Sequence, residues 1–448
     1  MKLVLSACLV ILSVINIYPQ KQLTLSKAIK VALQKNTTLL SQENDLLQTE
    51  TAVDAAYGRL LPDLNAYASW DWYRTEQAGR VSNVNGANVE IPPSSSESRN
   101  YALGVGSNVV LFDGLANYAN LSSSKNTREA VTLTIEKVKQ DVVFNTINLY
   151  YAVVEAEQVL KVNEENVKQQ QKNLETIEER NRLGSVTMAD VYQQQVQLGN
   201  AELDVIRQNN VLETAKSNLL YYLGIDVLEN YTYSDTLTQR ELEILNTDIN
   251  TDFSRIEDLY NQALQSRRDY RAQLLNLDSY DNSITIARSG HIPRLSGNLG
   301  YGTAANRVNE IFDSPTYNIG LTLNVPIFSG FSVNNAVQVA EVNAMNYELQ
   351  VKDSERLIKQ DIQKSFLNLE ATKKGILVTK KNLVAAEENL KIEQEKYNLG
   401  SGKLLDVLIS NTALQNAKTD DINAQFLYIK SVDELKYNLG ILDYSIYE

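Results

Sequence analysis

The sequence of 448 residues contains only one cysteine and one histidine. The cysteine, Cys8, lies in a predicted signal peptide, so the mature chain lacks the ligands of zinc, haem or iron–sulfur sites. Ser-His-Asp, thiol and histidine-base catalysis are excluded for the same reason. Carboxylates alone can hydrolyse glycosides, but no pattern builds a concave site for them. We therefore expect no enzyme, no metal and no cofactor.

Proline and glycine are also scarce, with seven and 19 residues. These residues usually separate short elements, so their scarcity predicts long helices. A formal net charge of −13 opposes binding to a nucleic-acid backbone. The 448 residues are enough for two or three domains, and the 43% apolar content can form a sizeable core.

No apolar run reaches the roughly 20 residues of a membrane-spanning helix. Lys2, the apolar run from Leu3 to Tyr18 and the exit Pro19-Gln20 are typical of a secretory signal peptide, which we assign to residues 1–20. The stretch before Cys8 also resembles a lipoprotein cleavage box, but the signal continues well past it, so a cleaved signal is the preferred interpretation. If the mature chain enters a membrane, it must do so as strands.

An internal repeat organises the chain. Phe112, Gly184 and Gly224 lie in motifs that recur around Phe328, Gly400 and Gly440 at one constant offset (328 − 112 = 400 − 184 = 440 − 224 = 216). Leu61-Pro62 recurs at Ile292-Pro293 with a larger offset (292 − 61 = 231). The first copy is therefore longer, and we interpret its segment 74–100 as a longer loop. The predicted organisation is a first repeat over 21–225, a connector over 226–254, a second repeat over 255–440 and a tail over 441–448.

Long helical hairpins are predicted in both repeats, over 113–223 and 329–439. Apolar residues recur at every seventh position, and the phase is the same in the two copies. This spacing favours antiparallel coiled coils, with arms of about 70 residues and on the order of 105 Å. Shorter helices over 24–59 and 256–290 precede them, and each ends before a proline. In the long hairpins, the apolar residues at every seventh position are Val153, Leu160, Val167 and Leu174, then Leu369, Ile376, Leu383 and Leu390.

Strand patterns occupy the predicted β-hairpins 63–112 and 294–328. Within them, four segments of about ten residues alternate apolar side chains with small polar ones, as transmembrane barrel strands do. Aromatic side chains near the outer ends fit an interfacial girdle: Trp70, Trp72, Tyr73, Tyr101, Tyr301 and Tyr317. Four strands cannot close in lipid, and two copies leave no lumen, whereas three leave one. The expected fold is therefore an α+β membrane protein that trimerises into a 12-stranded barrel on an α-helical tunnel.

The order, spacing and duplication of these motifs resemble the TolC family of outer-membrane efflux proteins. The resemblance is carried by the strand ends Phe112-Asp113-Gly114 and Phe328-Ser329-Gly330 and by the Leu-Gly-Ser turns, which are followed by Asp190 and Asp406. It implies a homotrimeric channel-tunnel in outer-membrane lipid, with its helical part in the periplasm. It also implies a passive, gated duct that receives substrate from an inner-membrane pump through a periplasmic adaptor protein.

The resemblance assigns adaptor docking to the two hairpin turns. These are Arg182, Leu183, Gly184 and Ser185 in the first repeat, and Asn398, Leu399, Gly400 and Ser401 in the second. Glycine is also needed there simply because the chain reverses direction.

Family members close the tip with a polar network and a ring of aspartates. The resemblance places Asp190, Tyr397 and Asp406 at such positions, but Gly402, beside Lys403, stands at the network's arginine position and Ile409 at the second aspartate. The lock is therefore incomplete. Alternatively, Asp190 and Asp406 are favourable helix-start charges, and Tyr397 fills a heptad position.

The main alternative function is a secreted structural coiled-coil protein, such as an adhesin stalk or filament. The sequence does not indicate which substrate passes through the predicted duct, or which adaptor and pump it serves.

Overall fold

The computed structural model describes residues 21–233 and 256–447. The predicted signal peptide and most of the predicted connector lie outside these ranges. In the first repeat the elements are β1 (Lys21–Leu23), α1 (Leu25–Lys35), α2 (Thr37–Gly58), β2 (Asn65–Gln77), β3 (Arg80–Val84), β4 (Ala87–Ile91), β5 (Ser94–Phe112), α3 (Ala116–Arg182), α4 (Met188–Tyr222) and β6 (Tyr231–Tyr233). In the second they are α5 (Ile256–Ser266), α6 (Arg268–Ser289), β7 (Arg294–Ala305), β8 (Pro315–Asn324), α7 (Ser332–Asn398) and α8 (Leu404–Asn438).

The long helices repeat with the sequence offset. Helices α3 and α7 each have 67 residues, and α4 and α8 each have 35. The start of α7 follows that of α3 at the same offset as the start of α8 follows that of α4 (332 − 116 = 404 − 188 = 216). The offset read from the motifs therefore also relates the helix boundaries.

The shorter helices differ from expectation, because each is broken in two. The breaks lie at Asn36 and Arg267, and their spacing is the larger offset of the two proline motifs (267 − 36 = 231). At Asn36 the backbone leaves the helical region (φ −63°, ψ 120°), and the side-chain Oδ1 accepts hydrogen bonds from the backbone N–H groups of Thr38 and Leu39. A side-chain cap thus ends one helix and starts the next without proline or glycine.

Each break lies against the glycine that ends a hairpin. A Cβ on Gly224 would lie 3.2 Å from the carbonyl oxygen of Lys35, and one on Gly440 would lie 3.0 Å from the backbone of Arg267. Both glycines have positive φ, +66° and +72°. Close approach of the backbones explains why the shorter helices break there.

The segment 74–100 is not the simple loop that we predicted. Strand β2 continues to Gln77, β5 begins at Ser94, and a β3–β4 hairpin lies between them. This hairpin turns at Asn85-Gly86, where both residues have positive φ (54° and 87°), as a tight Asn-Gly turn requires. The additional residues in the first repeat therefore extend the strands.

The chain divides into two compact units. One contains residues 41–136 and 268–357, including an antiparallel sheet in the order β2-β5-β7-β8. Of the described residues, the other contains 21–40, 137–233, 256–267 and 358–447, including the hairpin turns and the parallel pair β1-β6. Among the largest fully buried side chains of this unit are Ile147, Tyr151, Phe426, Ile429 and Leu435.

Candidate functional site

The two hairpin turns have the same backbone geometry. At the end of α3, Gly184 has φ +78°, its N–H donates to the carbonyl of Asn181 (2.8 Å), and the N–H of Ser185 donates to the carbonyl of Arg180 (2.9 Å). At the end of α7, Gly400 also has φ +78°, and the same bonds form at the equivalent positions of the second repeat. Both ends are Schellman motifs, which require a left-handed residue after the helix.

Each of these turns has an exposed leucine. Leu183 and Leu399 are 70% and 84% exposed. Beside Leu183, the guanidinium of Arg182 donates two hydrogen bonds to Glu179, which raises the pKa of Arg182 and lowers that of Glu179. The structure thus gathers the eight predicted docking residues into two exposed turns, each with one protruding apolar side chain.

Asp190 forms part of a helix cap. Its carboxylate accepts hydrogen bonds from the backbone N–H of Thr187 (2.9 Å) and from the Thr187 hydroxyl (2.8 Å), and Thr187 Oγ1 accepts from the Asp190 N–H. This is a capping box at the start of α4. Asp406 occupies the equivalent first turn of α8, but Lys403, the N-cap residue there, makes no side-chain cap bond. Both aspartates therefore lie where a helix favours negative charge.

Tyr397 is packed between two apolar clusters. One contains Ile177, Val191, Leu404 and Leu408, and the other contains Leu390, Val407 and Leu414. Its hydroxyl is buried and has no hydrogen-bond partner among the residues that the structure describes. Within one chain, the structure does not join Tyr397 to Asp190, and the gate role of both residues stays a prediction.

Arg180 is a tip residue that the sequence analysis missed. Its Nη2 donates to Oδ1 of Asn398 (2.9 Å), and its guanidinium carbon lies 5.1 Å from the ring centroid of Tyr397. It therefore links α3 of the first repeat to α7 of the second. Its repeat equivalent, Lys396, instead pairs with Glu393 in its own helix (2.6 Å). The arginine-for-lysine difference between repeats was the signal available, since a guanidinium can stack and donate at once.

The backbone conformation explains why Gly402 carries no side chain. A Cβ there would lie 2.9 Å from the backbone nitrogen of Tyr397, closer than real Cβ atoms approach. Nearby, Asp406 and Ile409 line one groove of about 580 Å³ together with Glu393 and Lys396. The turn of this chain therefore requires glycine at position 402.

A buried chain of amides lies farther from the tip. Gln194 Nε2 donates to Gln170 Oε1 (2.8 Å), and Gln170 Nε2 donates to Asn166 Oδ1 (3.0 Å). Asn411 Nδ2 donates to the same Asn166 oxygen (3.2 Å). These bonds connect α4, α3 and α8 between apolar layers. The heptad count, which scores only apolar positions, did not predict them.

The sheet of the other unit has two chemically different faces. On one face, apolar side chains point outward and are exposed, for example Ile319 at 83%, and Tyr301 packs against Tyr317 across β7 and β8 (ring centroids 5.3 Å apart). The other face carries Asn, Ser, Thr and Gly, as the strand pairing requires. Below the strands, the exposed rings of Phe328 and Phe331 pack edge to face (5.5 Å). An exposed apolar band is therefore bordered by aromatic residues.

Two other properties concern only the described parts of the chain. No helix there combines the length and apolarity needed to cross a membrane. In the same residues, no three acidic, histidine or cysteine side chains are grouped to hold a metal ion.

A profile of the outer membrane efflux protein family matches residues 28–225 and 259–440, one range within each repeat. The chain belongs to this family. The resemblance inferred from the sequence motifs is thereby confirmed. Among similar proteins, this family member is 24% identical to outer membrane protein TolC of Escherichia coli (strain K12) over 413 residues, covering 87% of this chain and 77% of TolC. It is 20% identical to the pyoverdine export outer membrane protein OpmQ of Pseudomonas putida over 323 residues, covering 72% and 65%.

Solved structures share the fold of this efflux-family chain. CusC superposes with a TM-score of 0.82 at 16% identity, covering 93% of this chain and 92% of CusC. The Campylobacter jejuni outer membrane channel CmeC gives 0.79 at 19% identity, covering 94% and 86%. The predicted combination of long helices and strands is thus that of known outer-membrane channels.

Proposed function

We propose that this chain is the outer-membrane channel of a tripartite efflux or secretion system. Three copies form a 12-stranded barrel on an α-helical tunnel, which is a passive, gated duct. The observation that carries the proposal is a four-stranded antiparallel sheet whose two outer strands, β2 and β8, have no further strand partner among the described residues.

An open sheet edge is costly in lipid, because its N–H and C=O groups have no water to bind. Pairing β2 of one copy with β8 of the next satisfies both edges, and three copies close a ring of twelve strands. A ring of eight is filled by its own side chains. The Gly and Asn face described above supports the wider ring, because small polar side chains suit a water-filled lumen.

The exposed apolar face has the dimensions of a membrane-facing band. Strand β8 has ten residues, which at about 3.3 Å each and a tilt of ~40° span about 25 Å. The aromatic pairs Tyr301–Tyr317 and Phe328–Phe331 suit the two lipid interfaces. The aromatic pairs at both interfaces do not define an orientation, and it is membership of the outer membrane efflux family that leads us to expect the helices on the periplasmic side.

The exposed leucines on the two turns support a docking role at the tip. We infer that a periplasmic adaptor binds Leu183 and Leu399 and that an inner-membrane pump supplies substrate and energy. Because the energy comes from the pump, the duct itself is passive. The predicted gate comprises Asp190, Tyr397, Lys403 and Asp406, to which we add Arg180.

Membrane fractionation and mass measurement test the assembly. We expect the mature chain in the outer membrane, heat-dependent migration on detergent gels, and the mass of three chains by native mass spectrometry. Purified protein should conduct ions across planar bilayers. Recovery as a water-soluble rod would contradict the duct and support the secreted coiled-coil alternative.

Site-specific photocrosslinking tests the partner. A photoreactive residue at Leu183 or Leu399 should capture a periplasmic adaptor in cells, identified by mass spectrometry. The control is the same residue at Asn209, an exposed position in the middle of α4. Equal capture at all three positions would remove the docking role of the turns.

A further inference from the structure

Tyr67 lies on the polar face of the sheet in an unusual position. Its strand partner is Gly104 on β5, which in turn pairs with Gly302 on β7. A Cβ on Gly104 would lie within 2.6 Å of three atoms of the phenol, and one on Gly302 would lie 3.1 Å from its hydroxyl. The ring therefore leans across two neighbouring strands, in space that only glycine leaves open.

This position keeps the tyrosine close to the wall while most of it stays accessible. Tyr67 is 57% exposed, although part of its ring covers the glycines. It borders a depression of about 430 Å³ whose other lining residues include Asn298 and Asn318, and these two amides are hydrogen bonded to each other (3.0 Å). A depression of this size accommodates a small organic molecule.

The second repeat has the same arrangement without the aromatic ring. Asn298 is the repeat equivalent of Tyr67 at the larger offset (298 − 67 = 231), and Gly320 is that of Gly104 at the smaller one (320 − 104 = 216). The Asn298 side chain covers Gly320, where a Cβ would lie 2.6 Å from the amide oxygen of Asn298, just as Tyr67 covers Gly104. A side chain over a glycine is thus common to both repeats, whereas the π face is supplied only by the first.

Charge on the same face favours a cation. By strand register, the polar face of the four strands carries one acid, Asp71, and one base, Arg294. Asp71 is four residues from Tyr67 along β2, about 13 Å. Arg294 is eight residues from Gly302 along β7, about 26 Å. The closest formal charge to the ring along these strands is therefore negative.

We propose that Tyr67 is a binding residue for organic cations, chiefly quaternary ammonium groups, on the lumen wall of the strand region. This rests on the proposed trimeric duct, in which three Tyr67 rings and three Asp71 carboxylates surround one axis. The ring faces attract a passing cation through their quadrupoles, and the carboxylates raise its local concentration.

Block of single-channel current in planar bilayers tests this. Benzyltrimethylammonium added from the strand side should block the wild-type channel more strongly than benzenesulfonate of similar size. Y67A should weaken the block by about two- to fivefold, whereas Y67F, which keeps the ring, should retain it. D71N should weaken block mainly at low salt. Y317L, which removes a phenol from the opposite face, is the matched control.

The outcomes separate this inference from the proposed function. Unchanged block in Y67A, or equal loss in Y67A and Y317L, in a channel that conducts, overturns the Tyr67 site but leaves the duct intact. Equal block by the anion overturns the cation preference. Absence of any conductance from correctly assembled wild-type protein contradicts the duct itself, and with it this inference.

Discussion

Arg180 in the first repeat and Asn398 in the second are joined by a hydrogen bond of 2.9 Å. The same guanidinium covers the ring of Tyr397, so one side chain holds the ends of α3 and α7 together. In the proposed gated duct, the two hairpin tips of a chain separate or shift when the entrance widens. We therefore expect Arg180 to favour the closed arrangement.

Replacing Arg180 with glutamine should favour opening. The lost hydrogen bond and cation–π contact are partly exposed, so we expect about 1 kcal/mol, or roughly a fivefold higher open fraction. Single-channel recording measures this. The control is R182Q, because the partner of Arg182, Glu179, lies in the same helix. Equal changes in open fraction in R180Q and R182Q would contradict a linking role for Arg180.

Tyr397→Phe distinguishes the two interpretations of Tyr397. If the hydroxyl has no partner in the assembled trimer, as within one chain, its removal should be neutral or slightly stabilising. If it bonds a neighbouring copy's carboxylate, its removal should destabilise the closed state by about 1.5–3 kcal/mol. Thermal stability and open fraction of the variant decide between them.

Tyr437→Phe is the matched comparison for that experiment. The Tyr437 hydroxyl accepts from Lys137 (2.7 Å) and donates to Asp141 (2.9 Å). Deleting it leaves two charged groups with fewer partners and should cost about 1–3 kcal/mol. Similar melting temperatures for both phenylalanine variants would show that the hydrogen-bond difference seen within one chain does not control stability.

The turn glycines should respond to alanine in different ways. At Gly184 the space that a Cβ would occupy is open. The destabilisation by alanine therefore comes only from the positive φ and should be about 1–2 kcal/mol. At Gly402 the cost comes from contact with the Tyr397 backbone. Gly199, within α4 and also in open space, should be stabilised by alanine, by roughly 0.5–1 kcal/mol. Melting temperatures of the three variants should therefore be lower than wild type for G184A and G402A and higher for G199A. Destabilisation by G199A would contradict this prediction.

Asp406→Asn should reduce the preference of the channel for cations. In the proposed trimer, three Asp406 carboxylates would surround one axis and attract cations. Reversal potentials in asymmetric salt measure the change, which should be larger than that of D190N, since the Asp190 carboxylate is held by Thr187. Unchanged selectivity and conductance in D406N would remove Asp406 from the gate.

Alkaline pH should weaken the unit that contains β6. The Tyr231 hydroxyl donates to the Glu229 carboxylate (2.6 Å), and this bond raises the pKa of Tyr231 to about 12. Because the pKa of Tyr231 is higher in the folded state than its value of about 10 in the unfolded state, the bond stabilises the folded protein below pH ~10. This stabilisation is lost as the pH rises through the folded-state pKa of about 12. Melting temperature should therefore fall less steeply between these values in Y231F than in wild type. Identical slopes would show that the bond contributes nothing.

The sequence alone determined the duplication, the long hairpins and the family. Glycine motifs that recur at one constant offset and apolar residues that recur at every seventh position are local signals, and each reports backbone geometry at its own position. For the same reason, the turns at Gly184 and Gly400 were predictable to the residue. The alternation of Asn, Gly and Thr with Leu and Tyr likewise determined the two faces of the sheet.

Tertiary structure decided what depends on neighbours distant in sequence. Asn36 has a local cap signal, but the approach of Gly224 to the Asn36 break and of Gly440 to Arg267 is recorded by no local pattern. The role of Arg180 at the tip depends on its contact with Asn398 of α7. The Asp190 carboxylate bonds Thr187 rather than Tyr397. Tyr67 gained its position because register placed glycines on two neighbouring strands beneath it. The backbone conformation of the glycine turns is specified locally, whereas backbone contacts between elements and the partners of side chains are set by which elements pack together.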